Sequence, residues 1–289
     1  MTTRLALALA LVIAGSAVGA APVPVAVVPV TAEAIAARID AALAAGALAD
    51  AADLIARDGN RLTTSRAALA RADYALAAGE FVAASTAYAA LARDPAVAAR
   101  AELGSGLVHL HGGDTAAAVV ALDAATAADP LLVRAWIARG VAADRMRDWT
   151  TADQAYARAI ALDDRSVAAL TNRGYSRLLR GRFSEAASDS AQALALDPAS
   201  TTAANNLRLA RALQGDYKTA FAGSTKATLA NDLNTVGFAA MSRGDYGLAE
   251  TYFTRAMRLS PQFDRTAWDN LVYLKQLAHR APDPLPPQR

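Results

Sequence analysis

The residues best suited to chemistry are the few histidines and the acidic side chains close to them. His109 and His111 stand two residues apart, Asp114 follows them closely, and His279 lies near the end of the chain. Residues two apart on a helix point about 200° away from each other, so both imidazoles cannot bind one metal ion from the same face. Asp114 could join one of them at the following turn, but a short motif of this kind is weak evidence. We interpret one histidine as a packing residue and the other as exposed, and we predict no metal site.

No other group of residues forms a recognisable catalytic arrangement. The sequence has no cysteine, which excludes disulfides, thiol catalysis, Cys-based metal sites and a lipid-modified N-terminal Cys. Gly104-Ser105-Gly106 resembles a fragment of a glycine-rich motif, but it falls inside an expected helix, where small residues serve close packing. We find no Ser-His-Asp arrangement, phosphate loop or carboxylate pair. The sequence therefore predicts a protein that is not an enzyme and needs no cofactor.

The composition indicates the kind of element that carries these residues. Hydrophobic residues make up 54% of the chain but aromatic residues only 6%, and alanine supplies most of the difference. Alanine is the best intrinsic helix former, and its small side chain lets helices pack closely. The 29 basic and 27 acidic residues nearly balance, which argues against a nucleic-acid partner. We predict thin layers of helices and not one thick globular core.

The N-terminus is typical of a secretory signal peptide. Arg4 precedes an apolar run from Leu5 to Ala14, and small residues lead up to Ala20. We predict a signal peptide over residues 1–20, cleaved after Ala20, a Pro-rich linker over residues 21–31, and a periplasmic or secreted protein. The alternative is an uncleaved membrane anchor, because no charged residue follows Arg4 before the linker ends. The prolines in that stretch break a helix, so we expect no stable membrane insertion after cleavage.

A repeated unit of about 34 residues organises the rest of the chain. Five of the six units end shortly after an Asp-Pro pair or a near equivalent. These pairs are Asp94-Pro95, Asp129-Pro130, Asp163-Asp164, Asp197-Pro198 and Ser260-Pro261. This spacing predicts units at 65–98, 99–132, 133–166, 167–200, 201–229 and 230–263. The fifth unit is short and lacks an Asp-Pro stop, so we expect a tight turn after Leu229 and a change of pitch there.

Small residues recur at the same positions of these units. The eighth position holds Gly106, Gly140, Gly174 and Gly237, and the twentieth holds Ala84, Ala118, Ala152, Ala186, Ala220 and Ala249. The twenty-seventh position holds Ala125, Ala159, Ala193, Ala227 and Ala256. We expect the two helices of a unit to cross closely at positions eight and twenty, and the next unit to pack at position twenty-seven.

Turn residues and large residues complete the pattern. The turn between the two helices of a unit begins with Gly79, Arg147, Gly181, Gly215 or Gly244, where glycine permits a positive φ. The large residues expected to fill the gaps between helices are Trp136, Tyr156, Tyr88, Leu122 and Phe253.

The whole pattern resembles that of tetratricopeptide (TPR) repeats. The resemblance implies an all-α, right-handed TPR α-solenoid of about six helix-turn-helix repeats. Residues 32–64 are expected to form an N-terminal helical hairpin around Gly46. Residues 264–280 are expected to form a C-terminal capping helix, and the proline-rich residues 281–289 a disordered tail.

The resemblance also implies a binding site in a concave groove lined by the first helices. In TPR arrays an Asn at the sixth position often bonds the backbone of a bound peptide, since an amide both donates and accepts hydrogen bonds. The groove candidates are Asn172 and Asn206 at that position, Asn270 by a one-residue shift, and Asn205, Asn234 and Tyr175 beside them. The alternative is that the first two amides satisfy nearby loops or face solvent.

Three arginines, Arg134, Arg173 and Arg208, would favour acidic ligands in that groove, unless they are only solvated. The Lys/Asn set of chaperone-type carboxylate clamps is not present, so we expect no binding to chaperone C-termini.

These features favour a non-catalytic scaffold that binds a peptide or another protein in the bacterial envelope. The C-terminal third is similar to TPR proteins of the Tad (tight adherence) Flp-pilus assembly system at Asn205-Asn206-Leu207, Gly215-Asp216, Gly244-Asp245-Tyr246, Ser260-Pro261-Gln262-Phe263 and Asn270-Leu271. This similarity implies a role in pilus or secretion-system assembly. The alternative is an accessory or regulatory subunit of a cell-wall or polysaccharide enzyme, and self-association stays open.

Overall fold

The computed structural model describes residues 30–260 and 264–280, which form fifteen α-helices, one short 3-10 helix and no strand. In chain order the helices are α1 (Ala32–Ala44), α2 (Leu48–Asp58), α3 (Thr64–Ala77), α4 (Phe81–Leu91), α5 (Ala98–Gly112), α6 (Thr115–Ala128), α7 (Val133–Arg145), α8 (Trp149–Leu162), α9 (Val167–Leu179), α10 (Phe183–Leu196), α11 (Thr201–Leu213), α12 (Tyr217–Ala220), α13 (Leu229–Arg243), α14 (Tyr246–Leu259) and α15 (Arg265–Arg280). The predicted signal peptide 1–20, nearly all of the linker 21–31 and the tail 281–289 lie outside the described residues.

The helices stack in sequential pairs as an all-α solenoid, which confirms the predicted fold class. Each first helix packs against the second helix of its own pair, and each second helix packs against the next first helix, as in α5, α6 and α7. Successive first helices also contact one another, from α3 through α15, more than successive second helices do. The first helices therefore form the inner layer and the second helices the outer layer. None of the helices in the described part is long and apolar enough to cross a bilayer.

An aspartate shapes the exit from four of the second helices. The Oδ1 atoms of Asp94, Asp129, Asp163 and Asp197 each accept a hydrogen bond from the backbone N–H two residues later, at 2.9–3.1 Å. This is the self-bonded turn that Asp favours. Asp163 has the same extended conformation as Asp129 although no proline follows it. The aspartate is thus the shared determinant of the turn, a role that the sequence pattern alone had given to the following proline.

The recurring small residues lie where the helices of a repeat touch. The alanines predicted at position twenty are all buried. A Cβ built on Gly140 would lie 2.6 Å from the ring of Tyr156, and one on Gly237 would lie 2.7 Å from Phe253. The nearest partner of position eight is therefore position twenty-four, not position twenty as the sequence pattern suggested. Of the large residues expected between helices, Tyr88, Leu122, Tyr156 and Phe253 are buried, whereas Trp136 is only half-buried.

The turns inside the repeats follow the predicted chemistry. Gly79, Gly181, Gly215 and Gly244 all have φ between 74° and 86°. Arg147 occupies the same place with a φ of 58° and is the one non-glycine residue with positive φ in the described part of the chain.

The fifth repeat departs from the predicted register. Its second helix, α12, has only four residues, and turns over residues 221–228 replace the remainder. The tight turn expected after Leu229 lies before it, because Leu229 is the first residue of α13. Ala227, which we expected to be buried at position twenty-seven, is exposed in these turns, because no second helix extends that far.

Arg208 fills the space that the missing helix leaves. It stands at position eight, where four repeats have glycine and the first has Ala72, and it is buried. Its Nη1 lies 2.9 Å from Oδ1 of Asp232, which is also buried, and 2.9 Å from Oδ1 of Asn205. Burial lowers the pKa of the Arg208 guanidinium, and the charge of Asp232 acts against that shift. A long polar side chain thus occupies a position that a full second helix would require to be small.

The two ends of the array are closed by additional helices. The N-terminal hairpin turns at Gly46, whose φ is 70°, and buries Ile35 and Ile39 against α3 and its neighbours. At the other end α15 packs on α13 and α14 through Ala267 and Leu271.

Candidate functional site

The candidate site is the inner face, which we define as the exposed surface of the first helices α3, α5, α7, α9, α11, α13 and of α15. A cavity of about 240 Å³ between α1, α3, α5 and α7 opens on this face. Asp73 and Leu107, at position nine of the first two repeats, both line it. Side chains at position nine therefore point toward the groove. The same position in the other repeats identifies further residues of the inner face.

Two of the predicted amides are buried and bonded inside the protein. Asn206 donates from Nδ2 to the carbonyl oxygen of Thr171 at 3.2 Å, which joins α11 to α9. Asn234 donates from Nδ2 to Oδ2 of Asp264 at 2.9 Å, which joins α13 to the start of α15. Both side chains hold neighbouring elements together; Asn206 neither faces solvent nor bonds a loop, because Thr171 lies inside α9.

The other predicted groove residues remain accessible. Asn172 is half-buried and donates to the carbonyl oxygen of Ala168 in its own helix at 2.9 Å. Asn205 is exposed and accepts from Arg208, while Tyr175 is exposed and Asn270 half-buried. A groove role for Asn172, Asn205, Tyr175 and Asn270 therefore stays a prediction.

An aromatic stripe follows position nine along the C-terminal half of the inner face. Tyr175, Phe238 and Tyr273 are 49%, 47% and 51% exposed. Half-buried Leu209 stands between the first two at the same position. We name these four residues the aromatic stripe. Sequence reasoning found only Tyr175. Counting position nine through every repeat would have found Leu209 and Phe238, and Tyr273 by the same one-residue shift that brings Asn270 to position six.

The three arginines singled out in the sequence have different partners. Arg173 forms a bidentate pair with Asp189, with Nε–Oδ2 and Nη2–Oδ1 distances of 2.9 and 2.7 Å. Arg208 is buried against Asp232, as described above. Arg134 lines the cavity, is exposed, and makes no hydrogen bond or ion pair with any residue that the structure describes.

A charged network forms one wall of the cavity. Nη1 and Nη2 of Arg100 donate to Asp40 at 2.9 and 3.0 Å, and Nη2 also donates to Asp73 at 3.0 Å. Arg66 donates to Asp40 at 2.7 Å, and the Tyr88 hydroxyl donates to Asp73 at 2.8 Å. The network joins the N-terminal hairpin to the first two repeats, and sequence reasoning missed it because its members come from separate elements.

Burial and pairing set the protonation of this network. Burial raises the pKa of Asp73, although the charge of Arg100 and the hydrogen bond from Tyr88 act in the opposite direction. Burial would also raise the pKa of Asp40, but the hydrogen bonds and charges of Arg100 and Arg66 outweigh it and hold that pKa below its ordinary value. Burial and the neighbouring Asp73 raise the pKa of Tyr88, so its hydroxyl stays protonated and donates.

His109 and His111 contact different neighbours. Nδ1 of His109 lies 4.0 Å from Oδ2 of Asp114. The ring of His111 stacks on Phe81, with centroids 3.8 Å apart and planes 20° apart. Among the side chains that the structure describes, in residues 30–260 and 264–277, no group of three or more His, Asp or Glu is placed to hold a metal ion.

The sequence matches the family model for the tetratricopeptide repeat in two stretches, residues 69–133 and 137–201. No curated protein has a matching sequence. Among solved structures, a chain in the crystal structure of the APC/C hetero-tetramer Cut9-Hcn1 is similar with a TM-score of 0.67 and 17% identity over 86% of this chain and 50% of that chain. A tetratricopeptide repeat protein from Parabacteroides merdae ATCC 43184 is similar with a TM-score of 0.53 and 13% identity over 84% of this chain and 98% of that chain.

This chain spans half the length of the Cut9-Hcn1 chain that it matches. At these levels of identity the likeness concerns the fold: TPR repeats in a helical solenoid.

Proposed function

We propose that this chain, an all-α solenoid of tetratricopeptide repeats, is a non-catalytic scaffold that binds a segment of another protein along its inner face. TPR repeats generally mediate protein–protein interactions. The observation that carries the proposal is the aromatic stripe, because exposed large apolar side chains that follow one another along a groove mark interaction surfaces.

The stripe has the chemistry of a binding hot spot. Aromatic residues dominate the energetics of interfaces when a partner covers them. Covering the exposed half of one such ring is worth about 2–3 kcal/mol by area, before the cost of association. Tyr175 and Tyr273 also carry hydroxyl groups that can donate to a partner's backbone. A segment lying across α9, α11, α13 and α15 would meet all four residues of the stripe.

We place this scaffold in the bacterial envelope, in the assembly of a pilus or secretion system. The support is the signal-peptide pattern of residues 1–20 and the similarity of the C-terminal motifs to Tad pilus-assembly proteins. The mass of the protein recovered from a periplasmic fraction tests the first part. We expect a chain that begins at Ala21, whereas a full-length chain in the membrane fraction would contradict it.

Site-specific photo-crosslinking tests the binding surface. A photoreactive phenylalanine analogue is placed in separate variants at Tyr175, Phe238 and Tyr273. Matched controls carry the same analogue at Val82 and Val120, which are exposed on the outer layer. We expect crosslinked adducts with the same partner protein from the three inner positions and not from the two outer ones, with mass spectrometry naming the partner.

The outcomes of the crosslinking test the binding surface and the envelope role separately. Adducts of equal yield from inner and outer positions would contradict binding at the inner face. A partner from a pilus or secretion system supports the envelope role. Capture of a cell-wall or polysaccharide enzyme would instead support the alternative of an accessory subunit, with the binding surface unchanged.

A further inference from the structure

We infer that the cavity beside Arg134 binds an acidic side chain, Asp or Glu, from within the partner segment, next to an apolar side chain of that segment. The inference rests on the proposed function, because it names what the N-terminal half of the inner face recognises.

The first step is a row of arginines at equivalent positions. Arg66, Arg100 and Arg134 each stand at position two of the first helix in three successive repeats, one repeat length apart. In the fourth repeat the same position holds Ala168, so the row ends there. Repeat symmetry places the three guanidinium groups in comparable surroundings on the inner face.

The second step is that the first two arginines are neutralised from within the protein. Arg100 bonds Asp73, which stands at position nine of the preceding repeat, at 3.0 Å. It also bonds Asp40 of the N-terminal hairpin, as Arg66 does. Two carboxylates thus compensate the charge of two guanidinium groups.

The third step is that Arg134 lacks the partner that symmetry would give it. Leu107 stands at position nine of the second repeat, where the first repeat has Asp73. Arg134 is exposed at the cavity and makes no ion pair or hydrogen bond with a described residue. The charge of Arg134 does act on Asp73, but that carboxylate is already bonded by Arg100 and Tyr88. Three arginines thus share the two carboxylates Asp40 and Asp73, which leaves one net positive charge beside Leu107, where a carboxylate would repeat the Arg100–Asp73 pair.

The walls of the cavity specify what accompanies that carboxylate. Leu43, Leu76, Leu103 and Leu107 line it together with Gly104. A volume of about 240 Å³ admits one medium-sized apolar side chain beside the acidic group. On the C-terminal side of the cavity the inner face continues from α9 to α15, so the segment that carries the acidic side chain would extend from the cavity along the groove toward α15.

A peptide selection with charge-matched variants tests the inference. Random peptides, displayed as an internal loop with both ends tethered, are selected against the wild-type protein and against Arg134→Gln. The matched control is Arg158→Gln, which removes an exposed arginine from the outer helix α8 of the same repeat. We expect Asp or Glu beside Leu, Ile or Val to be enriched on the wild type and on the control, and the acidic preference to vanish with Arg134→Gln.

Affinities of one selected peptide then measure the interaction. Changing its acidic residue to the amide, or Arg134 to Gln, should weaken binding by roughly 10- to 100-fold, the worth of a charge-assisted hydrogen bond. Making both changes should cost little more than either alone. A second variant, Leu107→Asp, supplies the missing carboxylate from within the protein and should block the acidic peptides without loss of helicity.

The possible results of the selection distinguish this inference from the proposed function. Selected peptides that bind the inner face without acidic enrichment, or with an enrichment that survives Arg134→Gln, overturn this inference and leave the proposed function standing. A selected peptide, synthesised once with a free C-terminal carboxylate and once with an amidated terminus, supports a side chain if both forms bind equally, whereas binding that depends on the free terminus overturns the inference. If no peptide is selected by any variant, this inference and the proposed function fail together.

Discussion

How closely the two helices of a repeat approach each other depends on a single contact between a glycine of the first helix and a large side chain of the second. At Gly140 the missing side chain makes room for the ring of Tyr156, which is almost wholly buried and donates its hydroxyl to Asp144 at 2.8 Å. Both the helix backbone and the bonded ring are held in place, and protein interiors have little spare volume. A single methyl group at this position must therefore push the two helices apart.

Gly140→Ala should destabilise the protein although alanine is the better helix former. Overpacking costs about 1–3 kcal/mol, which exceeds the roughly 1 kcal/mol gained from helix propensity. The control is Gly247→Ala in α14, where a Cβ would meet nothing within 4 Å, so the same exchange should raise stability. Urea denaturation measures both. A gain of stability in Gly140→Ala would show that the contact with Tyr156 is not limiting.

The sequence predicted these small residues but not the roles of the amides. Steric exclusion acts at a fixed spacing in every repeat that has a full second helix, so it leaves a periodic pattern that one sequence can show. The bond from Asn206 to Thr171 depends on how α9 approaches α11, and no local pattern encodes that. Asn172, at the same position one repeat earlier, bonds its own helix instead. Equivalent positions therefore have different partners, and the candidate site was only partly predictable.

At the level of elements, the shortened α12 changes what holds two repeats together. Elsewhere a full second helix separates successive first helices on the outer side. In the fifth repeat α11 packs directly on α13, and the buried Arg208–Asp232 pair lies between them. A buried ion pair is costly to desolvate, and its loss on one side leaves an uncompensated charge.

Asp232→Leu should destabilise the protein by about 3–5 kcal/mol, because Arg208 would stay buried without its partner. The double variant Arg208→Met/Asp232→Leu should recover most of that loss, since apolar residues of similar size need no compensation. Denaturant unfolding of both variants checks this. If the double variant is as unstable as the single one, packing and not charge accounts for the effect.

The end of α12 could not be predicted because the spacing of small residues continues through it. Ala220 and Ala227 stand at the positions that the repeat requires, yet only Ala220 is buried. Gly223 has a φ of 80° in the turns that follow the helix. The ends of the second helices in the first four repeats followed from periodicity together with an aspartate at the exit, and the fifth repeat has no such aspartate.

At the level of the whole molecule, one charged side chain joins the N-terminal hairpin to the array, in addition to the apolar contacts of Ile35 and Ile39. Asp40 of α1 accepts from Arg66 in α3 and from Arg100 in α5. Because these bonds hold the pKa of Asp40 below its ordinary value of 3.8, the ionised carboxylate favours the folded state. That contribution is complete above the unfolded pKa and is lost as the pH falls through 3.8 to the lower folded value.

Asp40→Asn should therefore weaken the docking of α1 and α2 at pH 7, and the difference from wild type should shrink as the pH approaches 3. Hydrogen exchange of the hairpin amides measures it as faster exchange confined to α1 and α2 at neutral pH. The control is Asp50→Asn on the exposed side of α2, whose effect should be confined to the first turn of α2, where Asp50 acts on the helix dipole, and should leave the exchange of α1 unchanged. A difference that persists unchanged at pH 3 would contradict the role of the carboxylate charge.

In mechanical terms, a solenoid of two helical layers behaves like a beam, and its resistance to bending falls steeply where the layers become thinner. At the fifth repeat the outer layer consists only of α12, which has four residues, so the solenoid there is close to one helix layer thick. Bending should therefore concentrate between α10 and α14. Tyr175 lies on one side of this thin section and Phe238 on the other, so flexing there changes the distance between the two rings. The same gap that disrupts the repeat pattern lets the groove adjust its curvature to the segment that it holds.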